Sequence, residues 1–382
     1  MTTWFSTSAV LPQLREDWDL STNAASLLII AVQIGFVVGA VVSAGLNLAD
    51  VVPPRRLILY GTVGAALANL GLLATGGAGQ ALPLRFATGA FLAGVYPPAL
   101  KAMSTWFRAG RGTALGVMVG ALTLGSAVPH LVNGVGGLDW QIVIVVTSAL
   151  TLLGGLVAEV VAQDGPFEFP RAVFDRRQAA VAWRNRGVRL ATLGYFGHMW
   201  ELYAMWAWFA AFFADTLVDD GIDDPQSGAA LATFAVIGIG SIGCWVGGIL
   251  GDRWGRTRST SLAMAISGVC AVTIGLVRSG PVALVVVVGL VWGFWVVADS
   301  AQFSTIVTEV CDQRYVGTAV TLQLAAGFVL TVVTIWLVPF VRDHTSWTWA
   351  FALLAPGPFL GILAMRRLAA SPEAALIAGG RG

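Results

Sequence analysis

Gly248-Ile249-Leu250-Gly251-Asp252-Arg253-Trp254-Gly255-Arg256 is a short polar stretch between two long apolar runs. Leu46-Asn47-Leu48-Ala49-Asp50-Val51-Val52-Pro53-Pro54-Arg55-Arg56 is its counterpart nearer the start. Their aspartates lie 202 positions apart (252 minus 50) in a chain of 382 residues. A charged turn repeated at slightly over half the chain length is what duplication of a helical membrane bundle would leave. Both stretches are read as loops between membrane spans.

The composition agrees. The chain is 57% hydrophobic and 11% charged, with a mean hydropathy of +0.78. Soluble domains carry about a quarter charged residues, so this is an all-α polytopic membrane protein and no segment reads as a water-soluble domain. Glycines number 46 and fall inside apolar runs, where small residues let helix backbones approach closely in lipid. Cys244, Cys270 and Cys311 show neither CxxC spacing nor a nearby histidine pair, so no metal site and no disulfide framework is expected.

A span needs about 20 apolar residues. Eleven runs qualify: 23–48, 56–76, 80–106, 113–135, 139–162, 187–213, 226–250, 259–277, 281–308, 318–341 and 346–366. Residues 1–14 resemble the outer half of a twelfth helix, truncated in this chain, and the expectation is a true start upstream of Met1. Counting alternate loops places seventeen arginines on one side and Arg15, Arg278 and Arg342 on the other. The positive-inside rule makes the richer side, with the C-terminus, cytoplasmic. The expected organisation is an N-terminal half at 1–163, a cytoplasmic linker at 164–189, a C-terminal half at 190–366 and a tail at 367–382. Ser104-Thr105 before Gly112-Thr113-Ala114 recurs as Ser304-Thr305 before Gly317-Thr318-Ala319. Two halves related by a parallel repeat suit an alternating-access carrier. The outer aspartates 215, 219, 220, 223 and 224 are read as a solvated acidic loop, and His130 as an interfacial residue.

Gly248, Asp252, Arg253, Gly255 and Arg256 resemble the G-x-L-x-D-R-x-G-R signature of the major facilitator superfamily, and the likeness covers essentially the whole chain. The first copy keeps Asp50, Arg55 and Arg56 but has Leu46 and Pro53 where glycines are usual. Arg85 and Gly89 resemble the family's R-x-x-x-G element. Gly125 to His130 lacks the glycine–proline pair of its drug:proton antiporters. Tyr96-Pro97-Pro98-Ala99-Leu100-Lys101 looks more like the nitrate/nitrite, cyanate and organic-anion branches. The resemblance implies two six-helix bundles with helices one, four, seven and ten around a central cavity. The paired loops are then gates, whose aspartates and arginines bond free helix ends and each other in one conformation and release them in another.

Ionisable side chains inside spans are functional hypotheses. Arg85, Lys101, His198, Glu201 and Asp299 fall on helices four, seven and ten, with Tyr96 and Trp295 on four and ten. Glu201 follows His198 by three residues on one helical face. A carboxyl group in apolar surroundings can exchange a proton near neutrality, which makes Glu201 the expected coupling residue, with a static bundle pair as its rival. Trp292, Trp295 and Asp299 share a face able to hold a cation or a flat organic solute. Lys101, the sole lysine, is expected to pair with Asp299 when the inner side is closed, against the alternatives of anion binding or snorkelling. Arg85 lies sixteen residues earlier, roughly 160° around an ideal helix, so both face the cavity only if Pro97-Pro98 rotates the helix.

The expected function is secondary active transport of a small solute or ion in the cytoplasmic membrane, with proton coupling as the favoured variant. A receptor or sensor on the same scaffold and a multidrug or metabolite exporter are the alternatives. No GxxxxGK[ST] phosphate loop occurs, no nucleophile–base pair suggests an enzyme, and no cofactor is expected. The expected partners are the substrate and the lipid bilayer, without nucleic acid, around a monomer.

Overall fold

The computed structural model describes every residue except 47, 108–109, 136–138, 164, 168–182 and 313–315; the side chains of Ala49, Asp50, Ser104 and Arg111 also lie outside it. Most of the expected linker therefore falls outside the described residues. The rest is helical. The first half comprises α1 (Thr2–Ala9), α2 (Leu11–Asp17), α3 (Thr22–Gly45), α4 (Leu48–Val51), α5 (Pro54–Leu70), α6 (Ala78–Leu92), α7 (Tyr96–Ser104), α8 (Arg111–Gly134) and α9 (Trp140–Val161). The second half comprises α10 (Arg186–Asp219), α11 (Pro225–Trp254), α12 (Arg256–Leu276), α13 (Val282–Val296), α14 (Ser300–Val310), α15 (Val316–His344), α16 (Trp347–Ala352) and α17 (Pro356–Ala369).

All eleven expected spans are present within a few residues of their expected ends. Nine segments among the described residues are long and apolar enough to cross a bilayer. Four spans are broken. Pro12 stands at the start of α2, Pro97 opens α7 and Pro356 opens α17. Proline has no N–H to give to the preceding turn and is tolerated in the first turn of the next helix. The fourth break, residues 297–299 between α13 and α14, contains neither proline nor glycine, and the Val297 carbonyl accepts from the Ser300 N–H at 3.1 Å and from Cys244 Sγ at 3.5 Å.

The duplication is visible as a packing register. A Cβ on Gly39 would overlap the Ala90 carbonyl, and one on Gly243 the Phe294 carbonyl. A Cβ on Gly89 would overlap the Val32 carbonyl, and one on Gly293 the Val236 carbonyl. Each correspondence is 204 positions (243 minus 39, 294 minus 90, 293 minus 89, 236 minus 32), as are the breaks at 93–95 and 297–299. Thus α3 packs on α6 as α11 packs on α13, through backbones that only glycine allows to touch. The aspartate spacing of 202 places a two-residue difference between the breaks and the loops.

The loop expected at 248–256 is corrected. Residues 248–254 are the last turns of α11, and Gly255 alone makes the turn, at φ 99°. A left-handed φ suits glycine, and its missing side chain admits the Arg381 carbonyl. In the first copy Leu48–Val51 is a short helix and Pro53 begins the next span.

Candidate functional site: an enclosed chamber between the halves

A small enclosed cavity of about 20 Å³ lies where the halves meet. Tyr96, Ser300 and Val297 reach it from the breaks in the fourth and tenth spans, and Tyr195, Met199, Leu202 and Trp206 from α10. These four, spaced by four, three and four, form one continuous helical face, and Tyr203 of α10 lines the chamber beside Leu202. Corresponding breaks near the middle of two repeated halves are the feature that marks a carrier's binding region.

Aromatic rings pack at the chamber where the halves meet. Trp4 packs at 5.2 Å from Phe36, 5.5 Å from Phe328 and 5.9 Å from Tyr203, and Phe5 lies 5.5 Å from Trp206. These contacts join α1 and α3 of the first half to α10 and α15 of the second.

The arginine-rich side is closed by α8 against α11. Cβ atoms on Gly116 and Gly120 would stand 2.5 Å from the Cys244 carbonyl and 2.8 Å from the Ser241 carbonyl. At the end of this seam Asp252 Oδ2 accepts from the backbone N–H and the hydroxyl of Thr113, both at 2.9 Å. The carboxylate thus satisfies a free N–H in the first turn of the opposite half's helix, where negative charge is favoured. Asp252 Oδ1 receives Arg256 Nη1 at 3.2 Å. Arg256 also meets Glu309 through two bonds of 2.9 and 2.8 Å and gives 2.7 Å to Gln302 Oε1. The tail packs onto this cluster: Ala378 N donates to Glu309 Oε2 at 3.1 Å and Arg381 to the Asp252 carbonyl at 2.8 Å. Arg253 is exposed. In the first copy Arg55 stands 3.8 Å from Glu159, Arg56 is exposed, and the Asp50 side chain lies outside the described residues.

The intramembrane charges sit behind the chamber wall rather than in it. His198 and Glu201 do not meet as a pair. Glu201 is 1% exposed and accepts from Trp292 Nε1 at 2.7 Å and Ser267 Oγ at 2.9 Å. His198 Nδ1 lies 2.9 Å from Asp299 Oδ1. This is ion-pair distance without hydrogen-bond alignment, and His198 Nε2 has no partner among the described residues. Each α10 residue has its own partner on the tenth span, because three residues on a helix still differ by about 60°. The expected Lys101–Asp299 pair is absent from the ion pairs described; Asp299 has turned to His198, and Lys101 stands in the last turn of α7. Trp295 is half-buried against Phe294 at 5.1 Å, and Trp292 is the indole that reaches a carboxylate.

Arg85 also departs from expectation. It is fully buried and faces the first span. It donates to the Thr3 carbonyl at 2.9 Å, the Trp4 carbonyl at 2.6 Å, Asn69 Oδ1 at 3.4 Å and the Leu28 carbonyl at 3.5 Å. Thr3 and Trp4 lie in the first turn of α1, and a planar guanidinium can serve several acceptors at once. His130 is not interfacial: it is 1% exposed, with both ring nitrogens unpartnered among the described residues. The outer acidic loop is structural in part. Asp215 binds Arg342 at 2.6 Å and Trp347 at 2.9 Å, and Asp219 binds Arg278 at 2.6 Å.

Of the expected site residues, Tyr96 alone lines the chamber. The rest of the wall was missed because charge drew attention to another face of α10. The readable signal was the Tyr195, Met199, Leu202, Trp206 spacing.

A repeated helical bundle with a cavity where its halves meet is the architecture of polytopic membrane carriers. The chain belongs to the Major Facilitator Superfamily, whose family model matches residues 1–298. It is thus a multi-pass transporter of the secondary class, acting on a small molecule in a membrane. No curated protein sequence matches it. Among solved structures, an E. coli fucose:proton symporter, FucP, is similar at TM-score 0.67 and 13% identity, covering 96% of each chain. A bacterial homologue of the human lysosomal transporter Spinster, in an inward-facing and occupied conformation, is similar at 0.62 and 14%. It covers 97% of this chain and 92% of that one. A second structure of the homologue, inward-facing and unoccupied, gives 0.63 and 14% with the same coverage. At these identities the likeness is one of fold.

Proposed function

We propose that the protein moves a small solute through the chamber by alternating access, coupled to proton movement through the buried acids of the second half. The observation that carries the reading is the chamber at the two corresponding breaks, with Asp299 at one of them and His198 against it. Asp299 flanks Val297 and Ser300, which both line the chamber, so a change in its protonation or pairing acts directly on the wall. Glu201, held by Trp292 and Ser267, ties α10 to the ninth and tenth spans and is the second protonatable group behind that wall.

In this reading the halves are 1–163 and 190–366, joined by the linker at 164–189, with 367–382 as a tail. The arginine-rich face is cytoplasmic, the membrane is the cytoplasmic one, and the carrier works as a monomer. The Asp252–Thr113 link holds the cytoplasmic side shut, and Asp50 with Arg55 and Arg56 forms a weaker second gate. Lys101 and Asp299 meet in another state of the cycle.

The test is a proteoliposome assay with a pH-sensitive dye in the lumen and a panel of sugars, organic anions and organic cations added outside. A coupled solute changes lumenal pH as it enters. Glu201→Gln and Asp299→Asn are expected to abolish the pH change while solute counterflow persists. An unchanged signal in both variants would remove the coupling reading, and loss of counterflow in both would make these residues structural.

A further inference from the structure

Outside the chamber, a groove of about 300 Å³ opens between α10 and α15. Val188, Thr192 and Phe196 form one wall, Leu322 and Gln323 the other, and Trp183 stands at its arginine-rich end. Nearly all of this lining is apolar. Thr192 and Gln323 are the polar members, and Gln323 is 1% exposed with neither amide atom partnered among the described residues. A buried primary amide without partners is costly, and in a groove open to lipid it points to a ligand that carries a hydrogen-bonding group. The other end of the groove carries charge. Arg184, next to Trp183, and Arg186 and Arg189 in the first turn of α10 are all exposed. The helix N-terminus adds positive potential there.

We propose that this groove holds an anionic phospholipid of the leaflet on the arginine-rich side. One acyl chain lies between α10 and α15, and the headgroup phosphate rests on Arg184, Arg186 and Arg189. The Gln323 amide donates to the ester carbonyl between them. The depths agree. Gln323 is seven residues from the start of α15 at Val316, roughly 10 Å along the axis, and its side chain leans back toward the N-terminus by helix geometry. The interfacial layer is roughly 5–8 Å thick, so the amide lies near the inner edge of that layer, where ester carbonyls end and acyl chains begin. Val188 to Phe196 forms eight residues of wall, roughly 12 Å, which carries the groove from the arginine end past the depth of Gln323. Basic pockets between membrane helices on this side suit anionic headgroups. The first half contacts α15 through α3, so the lipid would brace a helix that joins the two halves.

The experiment uses the full chain, delipidated in detergent, with dioleoylphosphatidylglycerol or dioleoylphosphatidylcholine added and retention read by native mass spectrometry. One phosphatidylglycerol is expected to be retained in preference to phosphatidylcholine. Each of Arg184→Ser, Arg186→Ser and Arg189→Ser should weaken that retention about fivefold, the worth of one basic side chain near an anionic surface. Gln323→Leu should weaken both lipids alike. Because Gln323→Leu alters a buried position, a photoactivatable phosphatidylglycerol supplies a readout on the unmodified protein. Its cross-links should map to 188–196 and 319–326. Equal retention of the two lipids, arginine variants without effect, or cross-links only elsewhere would each overturn the proposal, the last being the result if part of the chain itself fills the groove.

Discussion

Arg85 shows how a charge inside a membrane span acquires a role that its type alone does not reveal. An arginine in an apolar run marks a functional candidate, and nothing in the sequence says which way it faces. In the fold it turns to the carbonyls of Thr3 and Trp4 and to Asn69, itself bonded to Ser6 and Ser148. Arg85→Leu is expected to lower stability by about 2–5 kcal/mol, since buried acceptors lose their donor, read as a fall in unfolding temperature in detergent. Arg85→Lys should recover little, because an ammonium cannot match the planar fork that reaches several carbonyls. A solute ligand would behave differently: transport would be lost with unfolding temperature unchanged. The same limit applies to His198 and Glu201. Their burial followed from their setting, but partners on another span depend on packing angles that periodicity does not carry. Trp292 and Trp295 illustrate it: three residues separate an indole bonded to Glu201 from one lying half-buried against Phe294.

At the level of elements the sequence was far more legible. Span positions follow from runs of apolar residues, and three of the four breaks follow from proline. The break at 297–299 had no such signal, since no residue there forbids helix. Its counterpart at 93–95 precedes Tyr96-Pro97, and comparing the halves at an offset of 204 would have disclosed it. The same register identifies the glycines that matter. Gly247 stands where a Cβ would overlap the Ala298 carbonyl, beside the break itself. Gly247→Val should cost about 1–3 kcal/mol through forced separation of α11 from the tenth span, measured by thermal unfolding. Gly154, where a Cβ meets nothing, should accept alanine with no loss. Equal tolerance at both positions would contradict the close packing. The loop around Asp252 was the least well read element, because polar residues were taken to end a helix. Gly248, Gly251 and Asp252 stay helical, and one left-handed glycine suffices to turn the chain.

For the whole molecule, the halves meet through two unlike kinds of contact, and that difference makes the cycle testable. At the chamber they meet through rings in van der Waals contact, which any rotation of the halves can part gradually. Among the described residues, the arginine-rich side ends in a cross-half carboxylate, Asp252, holding two donors of Thr113. Hydrogen bonds to a charged group contribute about 1.5–3 kcal/mol, so removing them should shift the balance of states by at least about tenfold. With Ser300→Cys as a reporter in the chamber wall, Asp252→Ala is expected to raise maleimide labelling from the arginine-rich face by that factor. The native cysteines give a low background: Cys244 and Cys270 are buried in spans, and burial, with the Asp312 carboxylate beside it, pushes the Cys311 thiol up to about 11. That thiol is protonated and unreactive near neutral pH. Arg55→Ala is the matched comparison. Its contact with Glu159 is half-exposed at 3.8 Å, and such surface pairs contribute roughly 0–1 kcal/mol, so labelling should change by no more than a few-fold. If both variants labelled alike, the intact and the degraded copies of the repeated loop would be equivalent, and the cross-half bond at Asp252 would not be what holds that side closed.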